Sequence, residues 1–429
     1  MKLNYKRTIL VGFAFFLISA FWQAYDKTVP MLMTYKFEMK QTMSGLIMAL
    51  DNVLAVFLLP LFGALSDKSK SRFGKRTPFI LIGTICAIIS FIFIPLIGSL
   101  WLFIAVLLVT LLSMALFRSP AVALMPDVTV KPLRSKGNAI INLMGTAGGL
   151  LVLVLGLIIK VGQDNMGNFF PYYIAVCGIM LVGLVVFLLT VKENKWANEM
   201  LEDTKKFNVE EEKEEVTQEK QVSKKLEKPQ LISLLLILAS VALWYMGYNA
   251  ITSKYSLYAD SVLHQSYDLT LMIAQGGAIV AYLPVGMIAS KFGRRRTILV
   301  GVALLATSFF IAIFMTANSS PIFMYILFAF AGIGWATINV NSFPMVVELA
   351  KSGDTGKYTG WYYTASMSAQ VLTPILSGAI MDLFGNMHPL FPYASICVAL
   401  AFVTMFFVRH GDSKDVEKKS FLESFDNDD

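Results

Sequence analysis

Cysteine, histidine and charge are all scarce in this chain. Its three cysteines, Cys86, Cys177 and Cys397, are scattered over 429 residues and each falls inside an apolar run. That pattern offers neither a disulfide framework nor a thiolate metal site. Three histidines are too few and too badly placed to serve a hydrolytic centre, and His264 reads as an incidental loop residue. No Walker-type phosphate loop, metal-ligand spacing or nucleophile triad is present, so no catalytic residue, metal site or cofactor is expected, and an enzyme is improbable. Charged residues make up only 15% of the chain, against 56% hydrophobic. With a mean hydropathy of +0.63, a soluble domain could not hide so much apolar side chain, and the bilayer has to act as solvent.

What is present is a series of twelve apolar stretches, each long enough to span a bilayer or nearly so. They run approximately over 8–34, 43–66, 77–97, 100–125, 138–160 and 169–191, then 231–255, 268–290, 297–317, 321–347, 359–383 and 389–409. The first contains Trp22, Gln23 and Asp26 with no small-residue cleavage site before them, so it reads as a retained helix, not a removable signal. The net charge of +7 would suggest nucleic acid in a soluble protein. Here the excess sits in alternate loops. Lys68, Lys70, Arg72, Lys75 and Arg76 share one; Lys131, Arg134 and Lys136 another; Lys291 and Arg294 to Arg296 a third. The positive-inside rule then places both termini in the cytoplasm, with the lipid bilayer as partner and no nucleic acid.

A basic turn is written twice. Gly63-Ala-Leu-Ser-Asp67 leads through Lys-Ser-Lys-Ser to Arg72-Phe-Gly74-Lys75-Arg76, and 223 residues later Gly286 opens a shorter copy, Lys291-Phe-Gly293-Arg294-Arg295-Arg296. The same offset carries Tyr25-Asp26 onto Tyr248-Asn249, Gly137 onto Gly360 and Arg118 onto Asn341. Between the copies, residues 192–230 turn abruptly polar around Glu210 to Glu215, too poor in apolar side chains to support a core. These features predict an all-α membrane protein of two six-helix pseudo-repeats. The expected layout is an N-terminal bundle (1–191), a cytoplasmic linker that is partly helical or disordered (192–230), a C-terminal bundle (231–410) and a cytoplasmic tail (411–429). Parallel repeats of this kind point to a carrier.

The turn from Gly63 to Arg76 resembles the signature loop of the major facilitator superfamily. Its longer form, Ser66-Asp67 through Arg72-Phe-Gly74-Lys75-Arg76-Thr-Pro78-Phe79, is similar to a narrower group. That group holds the sucrose–proton symporters and the glycoside–pentoside–hexuronide cation symporters. Arg118-Ser-Pro120 through Leu124-Met-Pro-Asp127 resembles that group's fourth-helix stretch, and Gly334-Trp335 and Gly356-x-Tyr358-x-Gly360 resemble parts of the tenth and eleventh helices. The resemblance implies twelve transmembrane helices in the major facilitator fold and secondary transport by alternating access. It also implies proton-coupled import of a glycoside such as a disaccharide or small oligosaccharide, by a monomer in the plasma membrane of a bacterium. Two departures bear on the coupling ion. The positions of the acidic pair that binds sodium in one branch are Ala55 and Leu59 here, which speaks against such a site, and residues 101–117 contain no acid. The expected coupling ion is therefore a proton.

Candidate residues follow from the cost of polar groups in hydrocarbon, about 2.5–3.5 kcal/mol per charge on insertion scales. Asp26, Asp51 and Arg118 lie within apolar stretches. At about 1.5 Å rise per residue, Asp51 stands ~24 Å and Asp26 ~27 Å from the cytoplasmic side, while Arg118 is only ~14 Å in. They are the candidates for proton coupling, against the plainer reading that Asp26 pairs locally with Lys27. Sugars present an apolar face and a ring of hydroxyls, so a binding site needs aromatic platforms flanked by directional amides. Trp22, Gln23, Tyr25, Asp26 and Arg118 supply such a set in the first repeat, and Trp244, Tyr245, Tyr248 and Asn249 in the second, with Asn52, Asn142, Gln275, Asn339, Asn341 and Gln370 in further spans. An interfacial aromatic belt explains any one of these rings equally well. The expected cytoplasmic gate comprises Gly63, Asp67, Arg72, Gly74, Lys75, Arg76, Gly286, Gly293, Arg294 and Arg295. An exporter of drugs or amphiphiles, and a sugar-sensing membrane receptor, remain as alternatives.

Overall fold

In hydrocarbon every backbone N–H and C=O has to be satisfied within the protein, which favours uninterrupted helices. The computed structural model describes residues 3–130, 133–211, 228–347, 349 and 355–410; among these there are thirteen α-helices and no strand. The first six are α1 (Tyr5–Tyr35), α2 (Gln41–Lys68), α3 (Thr77–Phe93), α4 (Leu100–Val128), α5 (Arg134–Ile158) and α6 (Phe169–Thr190). A polar helix, α7 (Glu193–Glu211), follows. Then come α8 (Lys228–Tyr258), α9 (Tyr267–Phe292), α10 (Arg294–Ala312), α11 (Pro321–Val347), α12 (Thr355–Phe384) and α13 (Leu390–Phe406).

Ten of the described helices are long and apolar enough to cross a membrane. Over the other two expected apolar stretches run α9, with 26 residues, and α13, a shorter apolar helix of 17. The side chains say the same as the lengths. Phe57, Trp101, Val182, Leu189 and Leu383 all stand well exposed on helix surfaces, an arrangement that water would not tolerate and lipid tails favour. The linker is helical over its first part, α7, while its stretch 212–227 and the tail 411–429 lie outside the described residues.

The chain forms two compact units, Met1–Thr28 with Val53–Lys220 and Val29–Asn52 with Gln221–Asp429. In the first, α3 packs along α4 and α6 around Phe91, Phe103, Phe117, Tyr173 and Phe187, all fully buried. In the second, α11 lies between α9 and α10, and α8 packs on α12 and α13. Small residues permit these approaches, as expected where no hydrophobic effect drives helices together. A Cβ at Gly332 of α11 would collide with the Ala274 carbonyl of α9.

Candidate functional site

The first basic turn is a closed ionic network. Arg76 is almost wholly buried, and its guanidinium pairs with Asp67 and, through Nε at 2.7 Å, with Asp127 at the end of α4. It also donates to Ser66 Oγ and to the Gly63 carbonyl, while Lys75 Nζ stands 3.1 Å from Asp127 and 3.9 Å from Asp67. Gly63 lets α2 come close to α4, since a Cβ there would stand 2.9 Å from Ser119 Oγ. Gly74 makes the bend at φ +119°, a conformation L side chains rarely adopt. Arg72 takes another course, its guanidinium lying over the Phe73 ring at 5.1 Å.

Glu193, the first residue of α7, caps α3 from a distance. Its carboxylate accepts from Arg76 N and Thr77 N, both at 2.8 Å, and from Thr77 Oγ1 at 2.7 Å. A helix N-terminus has unsatisfied N–H groups and a positive dipole end, so a buried carboxylate suits it. Asn194 Nδ2 donates to the carbonyls of Ser71 and Arg72, and Arg7 of α1 pairs with Glu199 and lies 5.0 Å over the Trp196 ring. The linker therefore starts as a helix docked on the basic turn. Asp127, Ser66 and Glu193 were not among the expected gate residues. Asp127 could have been found as the acid that ends the motif of α4; Glu193 reaches its partners across 117 positions of sequence, where spacing carries no signal.

The second basic turn repeats the bend. Gly286 lies within α9, and Gly293 breaks α9 from α10 with φ +93°. Both turns thus read Phe-Gly followed by two basic residues, with glycine at positive φ. Arg294 is buried, while Arg295 donates to the Phe406 carbonyl and lies 6.0 Å over that ring.

In the first unit, α1 and α4 bring Arg118 over the Trp22 ring at 5.7 Å. Trp22 meets Phe21 and Tyr25 edge-on, at 5.2 Å each. Tyr25 is fully buried within this aromatic pile, and Asp26 is half-buried on the same helix. The Gln23 amide oxygen points toward α5, 3.7 Å from where a Cβ on Gly149 would stand, and Asn142 of α5 is exposed.

In the second unit, α8, α9, α11 and α12 converge on an aromatic cluster. Tyr248 stacks on Trp335 at 5.7 Å, and Tyr282 meets Trp335 edge-on at 6.2 Å. Tyr245 stacks on the buried Trp244 at 3.9 Å and hydrogen-bonds Tyr362, whose hydroxyl lies 2.9 Å from Ser342 Oγ. Asn339 bonds the Tyr282 hydroxyl. Two side-chain groups in this cluster, the Asn249 amide nitrogen and Trp244 Nε1, are buried without a hydrogen-bond partner among the described residues. Gln275 and Gln370 are half-buried on α9 and α12. Asn341 is committed elsewhere: it is buried and donates to the Thr337 carbonyl of its own helix at 2.9 Å. Asp51 accepts from the neighbouring Asn52 amide at 2.9 Å.

Other charges sit in helices without having been among the candidate site residues. Lys27, Lys254 and Asp268 are buried, and Lys27 lies 5.1 Å from the Tyr172 ring. Asp382 of α12 is half-buried. A scan for every ionisable residue within or at the edge of an apolar stretch would have found all four. Tyr282, Trp335 and Tyr362 were missed for a different reason, since only packing separates a cluster ring from a belt ring.

Residues 10–380 match the family model described as MFS/sugar transport protein. No curated protein matches the chain in sequence. Among solved structures, a POT family transporter in complex with a thioalcohol-conjugated peptide is 12% identical, with TM-score 0.69 over 93% of this chain and 95% of that one. The inward open xylose transporter XylE from E. coli is 16% identical, with TM-score 0.67 over 98% and 99%. The nucleoside transporter NupG is 14% identical, with TM-score 0.65 over 93% and 98%. At these identities the likeness is one of fold.

Proposed function

The chain belongs to the MFS/sugar transport protein family, and on that premise we propose that this multi-pass secondary transporter imports a glycoside together with a proton. A disaccharide or small oligosaccharide is the substrate class, and the bacterial plasma membrane the setting. The observation that carries this reading is the cluster of Tyr245, Tyr248, Tyr282 and Trp335 with the amides of Asn249 and Asn339 beside it. Aromatic faces take the apolar side of a sugar ring, and the Asn249 amide nitrogen, buried without a partner among the described residues, takes one of its hydroxyls. The unpartnered Asn249 amide favours a hydroxylated cargo over an amphiphile, because an apolar ligand would leave it unsatisfied.

Arg118, placed over Trp22, presents donors to a hydroxyl or carboxylate near the middle of α4. Asp26 and Asp51 are the carboxylates assigned to load and release the proton. The basic turn, held by Arg76, Asp67 and Asp127, serves as the cytoplasmic gate. Uptake of labelled α- and β-glucosides into vesicles, with and without a pH gradient, tests the reading. Accumulation that follows the gradient is expected; indifference to every sugar would sink it. Export of an amphiphilic dye from the same vesicles would favour the alternative.

A further inference from the structure

The two basic turns differ in the acids that the sequence writes into them. In the first, Lys75 and Arg76 meet Asp67 of the turn itself. The second, from Gly286 to Arg296, has four basic residues and no acid, and Ser290 stands at the place of Asp67. Lys291 and Arg296 are exposed, and so is Arg409 beyond α13. None of these three has a carboxylate partner among the described residues. Aromatic rings lie beside them. Lys291 Nζ stands 5.5 Å from the centre of the Phe292 ring, and Phe292, Phe406 and Phe407 are each more than half exposed.

The chain that follows α13 leaves from the same place. Arg295 donates to the Phe406 carbonyl, which sets the turn against the end of α13. Val408 is fully buried, and Ser233 Oγ of α8 accepts from Arg409 N at 3.4 Å and lies 2.9 Å from His410 Nδ1. Residues 412–420 come next, and in them three acids balance three lysines. Residues 421–429 then read Phe-Leu-Glu-Ser-Phe-Asp-Asn-Asp-Asp, with four carboxylates, two phenylalanines and no cation. The linker offers no such run, since over 212–227 its glutamates are interspersed with lysines.

Reach and charge both favour a meeting. The twelve residues between His410 and Glu423 span up to ~43 Å at about 3.6 Å each. Arg295 already touches Phe406, so that length is ample. One exposed ion pair contributes little. Several made together by a tethered segment contribute more, because the tether holds the segment at a high effective concentration.

We propose that residues 421–429 dock on the second basic turn, with their carboxylates on Lys291, Arg296 and Arg409 and their phenylalanines against Phe406 and Phe407. The tail thereby supplies the acids that the second turn does not carry itself. It also keeps anionic lipid headgroups, which are drawn to the same cations, off the turn. This docking does not require the cargo to be a glycoside.

A disulfide reports on the contact. In the full chain with Cys86, Cys177 and Cys397 replaced by alanine, Phe292→Cys and Ser424→Cys are introduced and the protein is placed in nanodiscs of zwitterionic lipid. Mild oxidation should join the two cysteines. Because charges are screened beyond roughly 10 Å at 0.1 M salt and roughly 3 Å at 1 M, the rate should fall on the order of tenfold between those conditions. Lys291→Glu with Arg296→Glu should slow the disulfide as much, and so should Glu423→Lys with Asp426→Lys and Asp428→Lys. Combining the two sets should restore the rate, which a merely distorted turn would not do. A rate indifferent to salt overturns the docking, and that arm needs no charge variant to fold. Failure of the combined reversals to recover any of the lost rate overturns it too. Nanodiscs of equal parts zwitterionic and anionic lipid decide between tail and headgroup. A disulfide that persists there supports the docking, and one that is abolished assigns the turn to the headgroups and overturns it.

Discussion

Glu193 and Arg118 show how differently single charges act in this protein. Glu193 is 2% exposed and makes three hydrogen bonds to the first turn of α3. Hydrogen bonds to a charged group are worth about 1.5–3 kcal/mol net, so Glu193→Gln should lower stability by about that amount. Thermal unfolding in detergent checks this, and an unshifted Tm would mean the cap contributes nothing. Arg118 sits inside the first unit, its guanidinium over Trp22 on a neighbouring helix. Arg118→Ala should weaken sugar affinity on the order of tenfold with little change in Tm, and Arg118→Lys should recover only part of it, because a lysine keeps the charge without the planar fork. Binding titrations on the purified protein give the number. Equal affinity in Arg118→Ala would remove this residue from the site.

Among the elements, α7 carries the least apolar sequence and still has a fixed place. Glu193 and Asn194 tie its start to the basic turn, and Trp196 and Glu199 tie its next turn to Arg7 of α1. The composition of the linker explains why it stays out of the membrane, but not why it docks. Docking comes from a capping carboxylate, one aromatic ring and an ion pair at helical spacing. Trp196→Ala combined with Glu199→Ala should release the helix and raise the rate of limited proteolysis within 193–211, leaving the membrane helices intact. A cleavage pattern identical to the parent would show that the docking is incidental. The same logic sets α3 beside α2: each has its first turn capped by an acid from a distant element, Glu193 for one and Asp382 for the other.

For the whole molecule, coupling is the property to be tested. Replacing a proton-carrying carboxylate by its amide removes the net movement of charge but leaves the binding geometry nearly unchanged. Asp26→Asn or Asp51→Asn should therefore spare exchange of sugar across the membrane and abolish uphill accumulation, if that residue carries the proton. Counterflow and gradient-driven uptake, measured side by side in vesicles, separate the two. Loss of both activities would instead assign the residue to substrate binding, and loss of neither would exclude it from the cycle.

Much of the architecture was legible in one dimension. Hydropathy marks the apolar helices residue by residue, because the cost of a polar group in hydrocarbon is local and additive along the chain. The doubled basic turn likewise announced itself as a repeated motif, and in both copies the glycine of Phe-Gly stands at positive φ. The aromatic and amide residues of α8 were legible as a set, but their use was not. Asn341 looked like Asn339, yet its amide is spent on its own helix while Asn339 holds Tyr282. Nor could any spacing rule join Glu193 to Thr77, Asp127 to Arg76, or Asp382 and Lys254 to Gln41. Those pairings depend on which helix ends meet and how each helix is rotated, and a hydrogen bond is lost within an ångström or a few tens of degrees. The sequence by itself determined which segments are helical and apolar and where the turns fall. Only the tertiary structure decided which charges become caps and ion pairs, because that is settled by short-range, directional contacts between residues hundreds of positions apart.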